Sequence, residues 1–258
     1  MTAPLAGITL VVTRPAAQAG HFIELAHSLG ARCVAFPTLE IEPLAVDPAS
    51  RARLRSHDWD WAIFTSSNAV DHGWAALAGT TVARCAAVGR ATARALEARG
   101  RAVDARPDTA NSEGMLALPE FGDVAGQRVL LVKGSGGRDL MQREFTARGA
   151  EVLELAVYRR QLAAPAPSAH EQLRSALRVP GTWIAATSAE VLGALIQLVG
   201  DEWHEFLAGS ALLVPGERVA AAARRVGWRG PIVTAPTAED AAMLEALREH
   251  LKGPPPTP

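Results

Sequence analysis

Leu10-Val-Val-Thr-Arg14 and Leu130-Leu-Val-Lys-Gly134 stand 120 residues apart, and each opens an amphipathic stretch that stops at a glycine. The stops are Leu29-Gly30-Ala31 and Arg148-Gly149-Ala150. An apolar run closing on polar or small residues is how a strand buried on both faces ends at a loop. Other pairs follow. Ile63-Phe-Thr-Ser-Ser67 before Val70 is answered by Ile184-Ala-Ala-Thr-Ser188 before Val191. Ala87-Val-Gly89 through Gly100 is answered by Val214-Pro-Gly216 through Gly227, and Ser112-Glu-Gly-Met115-Leu116 by Asp240-Ala-Ala-Met243-Leu244. Recurrence of strand–helix blocks marks two copies of one structural unit.

Working outward, short β-rich runs fall at 8–12, 32–36, 61–65, 84–88, 102–106, 128–133, 151–159, 182–187, 211–215 and 232–235. Between them lie helical patterns. Ala19, Phe22, Ala26 and Leu29 share one face, as do Val70, Trp74 and Leu77, and Leu195 and Leu198 before Gly200. Gly30, Gly100, Gly149 and Gly227 sit where helix C-caps take a left-handed residue. Alternation of this kind predicts an α/β chain with parallel sheets. Ten strands suit two five-stranded sheets better than one sheet of ten.

Pro-punctuated segments, Pro37 to Pro48 and Ala163 to Pro167, read as crossings between domains. The predicted organisation is a discontinuous domain of residues 1–37 and 164–258, a second domain of 44–156, and linkers at 38–43 and 157–163. The Gly/Pro-rich tail at 253–258 reads as disordered.

Composition removes several function classes. Lys+Arg 26 against Asp+Glu 27 leaves a formal net charge of −1 over 258 residues, so no global basic field attracts nucleic acid or anionic lipid. Hydrophobic residues at 48% and charged residues at 21% are ordinary for a globular chain. No apolar run reaches the roughly 20 residues of a membrane span, and the N-terminus lacks a signal-peptide layout. Cys33 and Cys85 lie in apolar runs and read as buried thiols of a cytoplasmic protein. The seven histidines show no zinc-site spacing, so no metal is expected. With no large apolar patch legible, a monomer is the default.

Small polar residues and cations collect at predicted strand ends, where open parallel sheets bind ligands. They are Arg14 after Thr13; Thr65, Ser66, Ser67 and Asn68; Gly89, Arg90 and Thr92; Ser112; Lys133, Gly134 and Ser135; Thr187 and Ser188; and Gly216 and Arg218. Each alone reads as a helix cap. Together, with Arg14, Arg90, Lys133 and Arg218 among them, they predict a site for several anionic groups between two domains. Gly134-Ser-Gly-Gly137 lacks the third glycine of a dinucleotide fingerprint, where Asp139 stands, and lacks the GK[ST] ending of a phosphate loop. No serine lies in a nucleophile elbow. Tyr158 is the single tyrosine and sits at the predicted crossover. It reads either as a strand aromatic or as a phenol able to donate a proton.

These residues resemble a family. Val12-Thr-Arg-Pro15, Phe64-Thr-Ser-Ser-Asn-Ala-Val70, Ala87-Val-Gly89 with Thr92-Ala93, Asn111-Ser-Glu-Gly114, Val132-Lys-Gly134, Val157-Tyr158 and Pro215-Gly-Glu-Arg218 fall in the order of uroporphyrinogen-III synthases. Gly216 stands where proteobacterial members carry a serine. The resemblance implies two flavodoxin-like parallel-sheet domains joined by a two-stranded antiparallel linker. It implies the cyclisation of hydroxymethylbilane, received from hydroxymethylbilane synthase, to uroporphyrinogen III, with loss of water and inversion of ring D. No cofactor is implied. Tyr158 resembles the family's conserved tyrosine and is assigned to assisting departure of the hydroxyl. A two-lobed small-anion binding protein and a catalytically inactive regulatory domain of the same fold are the rival readings.

Overall fold

The computed structural model describes residues 3–200 and 207–253. Strands and helices alternate as β1 (Thr9–Val12), α1 (Ala16–Ser28), β2 (Arg32–Ala35), β3 (Leu39–Pro43), α2 (Pro48–Arg55), β4 (Trp59–Phe64), α3 (Ser67–Gly73), β5 (Val82–Ala87) and α4 (Arg90–Glu97). There follow α5 (Ser112–Leu116), β6 (Arg128–Gly134), α6 (Leu140–Ala147), β7 (Glu151–Leu162), α7 (Pro167–Leu177) and β8 (Thr182–Ala185). The described chain closes with α8 (Ala189–Val199), β9 (Ala211–Pro215), α9 (Gly216–Arg225), β10 (Ile232–Ala235) and α10 (Asp240–Leu251). The tail beyond Gly253, expected to be disordered, lies outside the described residues.

Two compact units result. Unit 1 comprises Met1–Glu40 and Gln161–Pro258, and unit 2 comprises Ile41–Arg160. Unit 1 holds a sheet ordered β10-β9-β8-β1-β2, and the second sheet is ordered β3-β7-β6-β4-β5. The pairings of β1 with β2 and β8, of β8 with β9, and of β9 with β10 are parallel. So are those of β4 with β5 and β6, and of β6 with β7.

The apolar runs explain the layers. In β1, Leu10 and Val12 face one core with Phe22 and Leu244, while Val11 faces the other with Phe36 and Leu195. In β4, Ala62 and Phe64 face one core of unit 2, and Trp61 and Ile63 face the opposite one with Phe121 and Phe145. Burial on both faces is what the unbroken apolar strands require. The predicted C-cap glycines Gly30, Gly100, Gly149 and Gly227 have φ of 90°, 75°, 84° and 86°.

The internal repeat maps onto both sheets. Matching β1 to β6, β8 to β4 and β9 to β5 aligns the order β2-β1-β8-β9-β10 with β7-β6-β4-β5. The place of β10 is then taken by the segment around Ala105, which bridges Ala86 of β5. The units are therefore circular permutants in strand order. The chain leaves unit 1 after its second strand, completes unit 2, and returns to unit 1's third strand.

Two expectations change. The run 102–106 forms only an isolated bridge, Ala86 with Ala105. The Asp104 carboxylate accepts the Cys85 N–H at 2.7 Å, taking a donor that a ladder carbonyl would otherwise use. Arg101 also spends its guanidinium on the Val82 and Ala83 carbonyls of β5. The fifth strand of the second sheet is instead β3, inside the Pro-punctuated segment 38–43. It lies at the sheet edge, where proline is tolerated because one side of the strand needs no ladder partner.

Candidate active site

In unit 2 the parallel ladders bring the carboxyl ends of β4, β5 and β6 together. β4 ends at Phe64, and Thr65 donates its N–H to the Val132 carbonyl at 3.1 Å. Ser66 then caps α3, its Oγ accepting the Ala69 N–H at 3.1 Å. Ser67 and Asn68 form the first turn of that helix and are half-buried. Gly89 stands at the N-cap of α4, followed by exposed Arg90, and Thr92 is buried. Ser112 opens α5 after Asn111, whose side chain accepts the Gly114 N–H at 2.7 Å.

β6 and β7 bring Tyr158 to the same end. Their register slips between Lys133 and Gly134, and Gly134 then pairs opposite Tyr158. The Ser135 N–H donates to the Tyr158 carbonyl at 2.7 Å. The phenol ring is only 3% exposed and packs with Val70, Val132 and Val157. Its hydroxyl lies 3.0 Å from Ser66 Oγ, and Arg160 Nη2 donates to it at 3.4 Å. The Tyr158 ring is thus core, and its polar end meets the strand-end loop.

Two cations near this site, the expected Lys133 and the unanticipated Arg138, already have partners. Lys133 donates to Glu154 on the neighbouring strand at 2.9 Å, with 15% of its side chain exposed. Arg138, just past the glycine-rich loop, pairs with Glu113 of α5. That hydrogen bond holds the Glu113 carboxyl below its usual range and raises the Arg138 guanidinium.

Unit 1 carries a second strand-end cluster. Arg14 pairs with Asp240 at the start of α10, donates to the Ala238 carbonyl at 3.3 Å, and lies over the Phe22 ring at 4.7 Å. It is a buried strut. Ser188 caps α8 by accepting the Val191 N–H at 3.1 Å, and half-buried Thr187 precedes it. Gly216 has φ +69°, so its backbone sits where side-chain-bearing residues are strained. Arg218 is exposed on the first turn of α9 and makes no side-chain hydrogen bond or ion pair among the described residues. A cation there is opposed by the helix dipole, so local stability does not account for it.

Sequence reasoning missed His72 and Glu154. The His72 ring centre lies 6.0 Å from that of Tyr158, and nothing local in the sequence signals either partnership. Among the described residues, no group of three or more His, Cys, Asp or Glu side chains is arranged to hold a metal ion. No described helix is long and apolar enough to cross a membrane.

The family model described as "Uroporphyrinogen-III synthase HemD" matches residues 20–245. The chain belongs to the uroporphyrinogen-III synthase family. It is 33% identical to the uroporphyrinogen-III synthase of Escherichia coli (strain K12) over 254 residues, covering 93% of this chain and 100% of that protein. It is 32% identical to the Salmonella typhimurium synthase over 249 residues, with the same coverage. Among solved structures, it is similar to a mutant uroporphyrinogen III synthase from Thermus thermophilus (TM-score 0.61, 22% identity, 96% of this chain and 100% of that one). It is also similar to the Helicobacter pylori 26695 enzyme (TM-score 0.60, 18% identity, 95% of this chain and 99% of that one). Those two likenesses show the α/β fold. The activity, uroporphyrinogen-III synthesis in tetrapyrrole biosynthesis, follows from the family and the close relatives.

Proposed function

We propose that the substrate is linear hydroxymethylbilane, delivered by hydroxymethylbilane synthase, and that strand-end clusters take its carboxylates. The observation that carries this reading is the family match, which runs through both units. The geometry supports it. Backbone N–H groups of strand-end loops, hydroxyls such as Ser67 and Thr187, and the unpaired Arg218 suit an anion-rich, extended ligand better than one compact charge.

The chemistry asks for positioning. Protonation of the ring A hydroxyl releases water and leaves an electrophilic azafulvenium cation. Ring D must then attack through its substituted carbon, pass through a spiro intermediate and reclose inverted. Direct closure gives the type I isomer. Holding the chain ends in one geometry accelerates the productive closure by effective concentration. Tyr158, the chain's one phenol, is assigned to donate the proton to the leaving hydroxyl.

The flavodoxin-like description belongs to the same proposal. Unit 1's order, renumbered within the unit, is 2-1-3-4-5. β3 and the far end of β7 are proposed as the antiparallel linker. The Leu44 N–H donates to Val157, and the Ala163 N–H to Thr38.

Incubation with freshly prepared hydroxymethylbilane, followed by oxidation and isomer separation, tests the reading. Predominantly type III product is expected. Binding without turnover would favour the anion-binding reading, and neither binding nor turnover would favour the regulatory one.

A further inference from the structure

We propose that Ser66 and Gly134 are positioning residues that seat and aim the Tyr158 hydroxyl, rather than contacts for substrate carboxylates. This deepens the proposed function and rests on its assignment of Tyr158.

Gly134 makes room for the phenol. A Cβ built there would lie 2.7 Å from Tyr158 Cζ, 2.9 Å from Cε2 and 3.0 Å from the hydroxyl oxygen. Those contacts are closer than side chains tolerate, so any side chain at 134 displaces the ring. Gly134 is not among the residues with positive φ, unlike Gly136 and Gly137 just after it. It is therefore needed for its missing side chain, not for its backbone. The slip in register that sets Gly134 opposite Tyr158 lays the phenol directly over this gap.

Ser66 meets the hydroxyl at the ring's polar end. Its Oγ accepts the Ala69 N–H, which fixes the oxygen at the head of α3. A hydroxyl has one proton to give. Ala69 occupies one of the two Ser66 acceptor positions and leaves that proton free, and in the proposed arrangement it goes to the Tyr158 oxygen 3.0 Å away, a contact in which either hydroxyl can donate. Arg160 Nη2, at 3.4 Å, donates to the same oxygen. The phenol oxygen then accepts from both, and its own proton is left for the substrate hydroxyl. After transfer, the same donors face the phenolate that remains. Cleavage of the substrate C–O bond takes the phenol proton into the departing water, and Tyr158 recovers a proton when the final closure, through ring D's unsubstituted α-carbon, releases the hydrogen that carbon carried.

The test joins kinetics with a spectroscopic readout. Tyr158 is the chain's one tyrosine, so protein labelled at tyrosine 13Cζ gives a single resonance. Ser66→Ala is expected to lower kcat about tenfold, the rate equivalent of one hydrogen bond, with KM little changed. Ser66→Thr is expected to restore most of the rate. Both Ser66→Ala and Gly134→Ala are expected to move the tyrosine resonance. Neither is expected to add a further loss of kcat to Tyr158→Phe. A raised KM with unchanged kcat and an unmoved resonance in Ser66→Ala would overturn the assignment and return Ser66 to substrate contact. So would full additivity with Tyr158→Phe. A lower melting temperature alone, with normal kcat and resonance, would reduce Ser66 to a helix cap. Should Gly134→Ala fail to fold, Ser66→Ala decides the matter alone. Full activity of Tyr158→Phe would overturn the role of Tyr158 itself, a separate failure.

Discussion

Arg14→Ala is expected to cost stability rather than substrate affinity. The Arg14 side chain is 10% exposed and its partner Asp240 is 15% exposed. Removing one member of a buried, hydrogen-bonded pair costs about 3–5 kcal/mol, because the other charge is left in a poor solvent. Two features lower that figure here. Asp240 keeps a contact with His21, whose side chain is 76% exposed and leads toward solvent. The pair is also not fully dry. About 2–4 kcal/mol remains, which includes the Arg14 contact with the Phe22 ring. For a unit of this size the melting temperature should fall by on the order of 10 °C. Thermal denaturation gives the magnitude, and hydrogen exchange should place the loss in β1 and α10 of unit 1. Arg14→Ala combined with Asp240→Asn should recover at least half of the loss, since the stranded charge is removed. An unchanged melting temperature with a raised KM would refute the reasoning and give Arg14 to the substrate.

Arg218→Ala should raise KM, and more at about 20 mM than at about 500 mM salt, because an exposed charge is screened; salt-independent KM values would remove it from the binding surface. Gly216→Ser should lower stability by about 1–2 kcal/mol, because a side chain is forced into the left-handed region at φ +69°; wild-type melting would show that the backbone there relaxes freely. Burial pushes the Cys33 thiol from 9.0 up to about 11. Its alkylation at pH 8 should be about two orders of magnitude slower than in the unfolded chain, which a timed thiol assay reads. Because the folded state holds this proton more tightly, stability should decline as pH rises from about 9 towards 11. Cys33→Ala should flatten that decline.

What the sequence made legible was the part governed by local pattern. Continuous apolar runs located most strands, and glycines at 30, 100, 149 and 227 located helix ends, because both signals lie within a few residues of the feature. The repeat blocks matched elements that occupy equivalent sheet positions. β3 escaped the apolar-run reading, and was expected only as a linker strand through the family resemblance, because Leu39-Glu-Ile-Glu-Pro43 alternates charge with apolar residues between prolines, the pattern of an edge strand rather than a buried one. The segment 102–106 looked like a strand by composition, yet its backbone makes only a short bridge to β5, and side chains of Asp104 and Arg101 supply further ties. Charge partners were hidden for a different reason. Arg14 and Asp240 are 226 residues apart, and Ser66 and Tyr158 are 92 apart. A single sequence states that a cation or hydroxyl is present, but only the fold states whether it is already engaged. That distinction separates Arg14 and Lys133 from Arg218.

A phenol seated in the core of unit 2 is proposed to supply the proton while the surrounding shape selects the isomer. Steady-state kinetics of Tyr158→Phe with isomer analysis of its product tests both halves at once. The predicted result is a correctly folded protein whose kcat is lower by roughly 10- to 1000-fold, with product binding little changed and the product still type III. Full kcat in a folded Tyr158→Phe protein would contradict the claim and leave Tyr158 as strand packing.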